Sequence, residues 1–148
     1  MGVNWHIRSY SQLTVEELHM IIKERVNVFV VEQQCPYPEV DGADPEAIHI
    51  WMEDEGQLAA YCRIFRGGVR YDKASIGRTL VTQGYRGRGY GRLVFQEGIN
   101  QIKNLFGERC IQIQAQAYLK SFYESFGFQA ISETYLDDGI PHIDMVIN

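Results

Sequence analysis

The sequence predicts a mixed α/β fold, an α+β mixed sheet with an antiparallel meander and a central parallel strand pair, flanked by helices. Three observations carry this. Strand-like runs at 47–53, 58–65 and 73–82 are separated by Glu55-Gly56 and Gly67-Gly68, good punctuation for hairpins. A long amphipathic stretch at about 89–106 then leads into a further strand at 110–115, as a crossover requires. The chain closes with runs at 132–136 and 140–147 around Asp138-Gly139, a favoured hairpin turn.

The elements follow in order. Residues 4–10 alternate as a first strand. Thr14 and Glu17 form a T-x-x-E capping box, in which each side chain satisfies the other residue's unpaired backbone N–H. Val15, Leu18, Ile22, Val26 and Phe29 recur every three or four residues and predict one apolar helix face. That helix must stop before Cys35-Pro36, because proline and the residue preceding it disfavour helical geometry. Residues 36–45 read as an acidic loop. In the second long helix Phe95, Ile99, Ile102 and Phe106 mark the buried side. Residues 119–126 form a short helix, with Gly127 as its C-cap.

At 148 residues the chain fits one domain, 1–148, with a genuine core. A hydrophobic fraction of 45% and a charged fraction of 22% are those of an ordinary soluble protein. No apolar run approaches the roughly 20 residues needed to span a bilayer, and nothing in the first nine residues resembles an export signal. Cys35, Cys62 and Cys110 share no CxxC spacing and suggest reduced thiols in a cytoplasm, with no metal site. The net charge of −5 argues against a general nucleic-acid binder and is compatible with an amine-bearing substrate.

Residues 84–92, GYRGRGYGR, hold four glycines and three arginines between a strand and the long helix. A helix N-terminus prefers acidic residues and a Ser, Thr, Asp or Asn cap, yet Arg86, Arg88 and Arg92 crowd this one and no such cap is present. A polyanion at the site removes both oddities. Glycine-rich backbone approaches phosphate oxygens closely, the helix end favours negative charge, and arginines add charge-assisted hydrogen bonds. The plainer alternative is a solvated loop. No Gly-Lys-Ser/Thr follows, which excludes a Walker A loop, and a dinucleotide fingerprint fails because Arg92 stands where its third glycine belongs.

The pattern that remains is R-x-x-G-x-G, Arg86-Gly87-Arg88-Gly89-Tyr90-Gly91. With it the chain resembles the GNAT superfamily of N-acetyltransferases, whose members hold the pyrophosphate of acetyl-CoA on this loop. A second segment, residues 119–128 (LKSFYESFGF), is similar to the superfamily's F-Y-x-x-x-G-F stretch. The runs VFVVEQ at 28–33, CPY at 35–37, Asp41-Gly42, QAQA at 114–117 and DGIPH at 138–142 resemble the ElaA branch.

The resemblance implies a GNAT-like acyl-CoA N-acyltransferase fold and acetyl-CoA as co-substrate, with no metal. It implies that an acetyl group passes directly to a primary amine of a small molecule or peptide. It implies that Leu80 and Val81 meet the pantetheine arm, that a backbone N–H near Val81 polarises the thioester carbonyl, and that residues 86–92 hold the phosphates beside Leu119 and Tyr123. Tyr123 matches the family's general acid; its alternative is a core aromatic. The base stays open. The strand at 75–81 offers no carboxylate where many relatives carry one, so Glu32, His49, His142 and a water chain all qualify, and each also suits a structural or exposed role. Arg63 and Arg78, on successive strands, suit either a substrate carboxylate or salt bridges on an exposed sheet face. Gln112, Gln114 and Gln116 suggest hydrogen bonding, Cys35 is the lesser choice of nucleophile, and Trp5 and Trp51 suggest packing. A non-catalytic acyl-CoA sensor is the rival function. Neither nucleic acid nor membrane is expected as partner; monomer and homodimer are both open.

Overall fold

A computed structural model describes residues 2–148. Strand β1 (Asn4–Ser9) leads to helix α1 (Val15–Val26), whose capping box forms as the sequence predicts, Thr14 Oγ1 accepting from the Glu17 N–H at 3.1 Å. The helix continues more widely wound through Asn27–Glu32, with i→i−5 bonds such as Cys35 N–H to Val30 O at 3.0 Å. Strands β2 (Ile48–Asp54), β3 (Gln57–Phe65) and β4 (Ser75–Val81) follow. Then come α2 (Tyr90–Gln101), β5 (Ile111–Gln116), α3 (Lys120–Glu124), β6 (Gln129–Ala130), β7 (Tyr135–Asp137) and β8 (Ile140–Ile147). β6 is an addition to the sequence reading. It is too short for alternation to reveal.

The strands form two antiparallel sheets, β1-β2-β3-β4 and one in which β8 pairs with β5 on one side and with β6 and β7 on the other. The predicted parallel pair, β4 with β5, is reduced to one bridge, Ala74 with Ile111, closed by the Gln112 N–H on Ala74 O at 2.8 Å. Both strands run away from that point unpaired with each other, so the sheet splits along them.

The first sheet is covered on both faces along β2 and β3. Ile50, Met52, Ile64 and Ile76 pack under α2 with Phe95 and Ile102, while Trp51, Leu58, Tyr61 and Leu80 pack under α1 with Ile21. α2 lies close against the sheet: a Cβ on Gly98 would sit 3.2 Å from the Ile76 side chain and 3.3 Å from Cys62 Sγ.

Two expectations need correction. The buried residues of α1 are Ile21 and Arg25, both 0% exposed, whereas Val15 is 82% exposed. The helix turns its core face about an arginine, which a hydrophobic count does not find. Nor is the 36–45 loop a solvated acidic segment, since Glu39 and Asp44 are each 4% exposed.

Candidate functional site

Where β4 and β5 part, they leave a cleft of about 550 Å³, lined by residues from both sheets, the end of α1 and α3. β4 is bulged on the cleft side. Residues 78 and 79 face Cys62 alone, and Arg78 holds φ +52°. A bulge of this kind interrupts the ladder and re-aims side chains, and a non-glycine residue at positive φ is uncommon.

Of the residues singled out from sequence, Glu32, Arg63, Arg78, Leu80, Val81 and Arg86 line the cleft. Gly91, Leu119, Tyr123 and His142 line it as well. Gly87, Arg88, Gly89 and Tyr90 fall between two lining residues, Arg86 and Gly91, without lining it themselves; Arg92 also lies outside. Gly89 caps α2 with φ +79°, and Gly87 has φ +82°. A Cβ on either would meet no protein atom within 4 Å, so packing does not require glycine there; the left-handed backbone does. The first intrahelical bond is Leu93 N–H to Gly89 O at 3.2 Å, which leaves the N–H groups of Tyr90, Gly91 and Arg92 directed out of the helix end. Arg86, Arg88 and Arg92 are all exposed. This head of α2 fits a diphosphate: free donors, a positive helix end and flexible guanidinium groups.

The arginines there have modest partners. Arg86 donates through Nε to Val81 O at 3.0 Å and clasps both oxygens of the Glu32 carboxylate. Arg88 lies 3.5 Å from Asp54, which also accepts from the Tyr90 hydroxyl at 2.6 Å. Arg92 stacks over Phe122 and Phe126 and bonds Ser125 Oγ at 2.8 Å.

Tyr123 projects from α3 into the cleft and is 9% exposed, its ring packed 5.1 Å from that of Phe95. Burial pushes its hydroxyl up to about 12, and among the described residues none hydrogen-bonds it. It is therefore protonated at neutral pH and free to donate. His142 is half-buried, with Nδ1 2.7 Å from the Ile140 carbonyl. A carbonyl only accepts, so in the neutral ring Nδ1 carries the proton and Nε2 keeps the lone pair.

The remaining candidates are placed differently. His49 is 0% exposed and does not line the cleft. Its Nε2 donates to Asp44 O at 3.0 Å and its Nδ1 accepts from the Tyr61 hydroxyl at 2.6 Å; burial lowers its pKa, so it is a neutral structural ring. A histidine on an alternating strand gives no sign of which face is doubly buried. Glu32 is exposed and its carboxyl is held low, chiefly by the Arg86 hydrogen bond, which makes it a poor proton acceptor. Arg63 and Arg78 face no open substrate site with both guanidinium groups unpaired. Arg63 bonds Asp41 at 2.5 Å and Asp44 at 2.8 Å, and Arg78 bonds Glu39 at 2.7 Å and Asp41 at 3.3 Å. Arg25 completes the lattice with Glu39 and Asp44, each at 2.7 Å. Cys35 is buried, its Sγ 3.4 Å from Asp138 O. Gln114 and Gln116 bond Asp137 and Gln33.

Sequence reasoning missed Arg70 and Tyr118, which also line the cleft. They lie in connections that carry no periodic signal. Tyr37 is tied to Glu39 through its hydroxyl and lies under Arg78, 5.5 Å from guanidinium to ring centre.

Known proteins supply an independent line. The family model for the acetyltransferase (GNAT) domain matches residues 9–148. Protein ElaA of Escherichia coli strain K12 is 37% identical over 147 residues, covering 97% of this chain and 95% of its own length. The solved structure of Escherichia coli ElaA superposes with a TM-score of 0.92 at 34% identity, covering 99% of this chain and all of the other. An acyl-CoA N-acyltransferase from Pseudomonas aeruginosa gives 0.93 at 35% identity, covering 98% of this chain and 99% of the other. No helix among the described residues is long and apolar enough to cross a membrane.

Proposed function

This chain belongs to the GNAT acetyltransferase family, and on that premise we propose that it transfers an acetyl group from acetyl-CoA to a primary amine, directly and within one ternary complex. The observation that carries this reading is the convergence on one cleft of an unbonded tyrosine hydroxyl, a histidine with a free Nε2 and the glycine–arginine head of α2.

When bound, acetyl-CoA supplies a thioester carbon open to attack by nitrogen. Residues 86–92 and the first-turn N–H groups of α2 hold the phosphates. Beyond the Ala74 bridge, β4 is a free sheet edge, and at Leu80 and Val81 it presents backbone groups to the pantetheine arm. His142 Nε2 takes the proton lost by the amine as the N–C bond forms. Tyr123 donates a hydrogen bond to the sulfur as the C–S bond breaks. Its hydroxyl, near about 12, is a far weaker acid than a thiol with a reference value of about 8.5, so donation outweighs full transfer. The proton held on His142 then reaches the thiolate through water, leaving the amide and free CoA.

Calorimetry with acetyl-CoA, paired with a thiol-release assay over a panel of amines, tests the reading. A Tyr123→Phe variant should retain cofactor affinity while kcat falls about 10- to 150-fold, the value of one hydrogen bond to a charged group. Folded protein that gives no heat with acetyl-CoA or CoA at millimolar concentration would abolish the proposal. An acyl-CoA sensor is the reading left if binding occurs and no amine is ever acetylated.

A further inference from the structure

The acceptor end of the cleft has walls of opposite charge. On the first-sheet side stand Arg78 and, from the β3–β4 connection, Arg70. On the second-sheet side the β7–β8 turn contributes Asp137 and Asp138, beside His142. The arginine wall has donors to spare. Arg25, Arg63, Arg70 and Arg78 meet only three carboxylates, those of Glu39, Asp41 and Asp44, so the lattice holds one more positive charge than negative. The spare charge sits at the cleft. The Arg70 guanidinium is 41% exposed, approaches Asp41 only to 3.7 Å, makes no hydrogen bond among the described residues, and rests over the Phe65 ring. Arg78 uses Nε and Nη2 and leaves Nη1 without a partner among the described residues. Behind them Arg63, 1% exposed, keeps an Nε–H that no described group accepts. Buried guanidinium donors are normally satisfied, and Arg63 Nε is the one exception among the described residues; the spare donors of Arg70 and Arg78 open on the cleft, where water or an acceptor group from outside can meet them.

Granting the acetyltransferase reading above, we infer that the acceptor is a zwitterion, an amine that also carries a carboxylate, as an amino acid does. The carboxylate is taken by the planar fork of Arg70, with a further N–H from Arg78 Nη1. The ammonium end is drawn to Asp137 and Asp138, which places the nitrogen on the His142 side. It gives one proton to water to become the free amine, and the second passes to His142 as the N–C bond forms. A plain polyamine would face Asp137 and Asp138 at one end and leave the arginine donors unmet at the other.

The test compares matched acceptors: α-amino acids, each paired with the amine left when its carboxylate is removed, such as phenylalanine with phenethylamine and ornithine with putrescine. At least one acid should exceed its amine by tenfold or more in kcat/KM, the size of a charge-assisted hydrogen bond. Arg70→Gln, at an exposed position with no hydrogen bond to lose, should move that ratio towards one through KM. Equal or better use of the decarboxylated amine across the panel overturns the inference, as does a ratio that Arg70→Gln leaves intact. If no acceptor turns over, calorimetry of the same pairs, with and without CoA, decides on the Kd ratio by the same criteria. Failure of acetyl-CoA itself to bind marks the separate failure of the acetyltransferase reading.

Discussion

At the acceptor end of the cleft, Arg25, Arg63 and Arg78 meet Glu39, Asp41 and Asp44 at 2.5–3.3 Å, mostly out of water. At the head of α2, Arg86 and Arg88 stand 40% and 48% exposed, one on the half-exposed carboxylate of Glu32 and the other 3.5 Å from Asp54. On the proposed reading the same side chain serves chiefly structure in the first place, where Arg78 alone spares an N–H for the acceptor, and ligand binding in the second. What separates them is desolvation. A guanidinium with its partners buried is fixed, because losing one partner strands the other, whereas a solvated one exchanges its carboxylate for a phosphate at small cost.

The largest effect that would sharpen this contrast is on stability. Arg25→Ala takes one of two guanidinium partners from each of Glu39 and Asp44, leaving Arg78 and Arg63 respectively, and should cost about 3–5 kcal/mol. In scanning calorimetry that is a fall of roughly 10 °C or more in Tm for a domain of this size; an unchanged Tm would mean the lattice is not a unit. Acid attacks the same lattice from its other side. Burial alone would raise the carboxyls of Asp41 and Asp44, but their bonds to Arg63 and Arg25 more than offset it and hold both below the ordinary range. Their contribution is complete above about pH 4 and is lost as pH falls through the depressed values. Tm should therefore drop below that pH in the native protein, and drop less steeply in Arg25→Ala.

Third in size comes Arg86→Gln, expected to weaken acetyl-CoA binding about 10- to 100-fold by calorimetry. Its stability should move by less than about 1 kcal/mol, since the Glu32 pair is half-exposed. A large Tm loss there would erase the distinction between the two regions. Smallest is Glu32→Gln. Freed from that carboxylate, Arg86 should bind acetyl-CoA a few-fold more tightly, about the worth of one surface ion pair; weaker binding would show that Glu32 presents Arg86 instead of withholding it.

The contrast also explains what could be read from sequence. The head of α2 is a local motif: nine consecutive residues with a missing cap and misplaced charges, visible before any folding. Tyr123 came with a similar local segment. The order of strands and helices followed from periodicity and turn residues. The lattice is different in kind, for its bonds join positions 14 to 39 residues apart. Arg63 and Arg78 on adjacent strands could therefore be read either as substrate ligands or as salt-bridge partners, and the 36–45 loop only as acidic, because pairing across such distances leaves no spacing to recognise. His49 was misplaced for a related reason. Alternation tells which residues share a face of β2, and both faces of that strand are covered.

The Ala74–Ile111 bridge has a consequence for how such a protein diversifies. It acts as a single stitch between two half-sheets, and each half supplies its own side of the chemistry. On the proposed function, thiol-carrier recognition would be encoded largely in the chain's middle third, while one wall of the acceptor pocket would belong to the β7–β8 turn tied back through β8. Replacing that turn would redirect the catalyst to another nucleophile without reopening the carrier's seat.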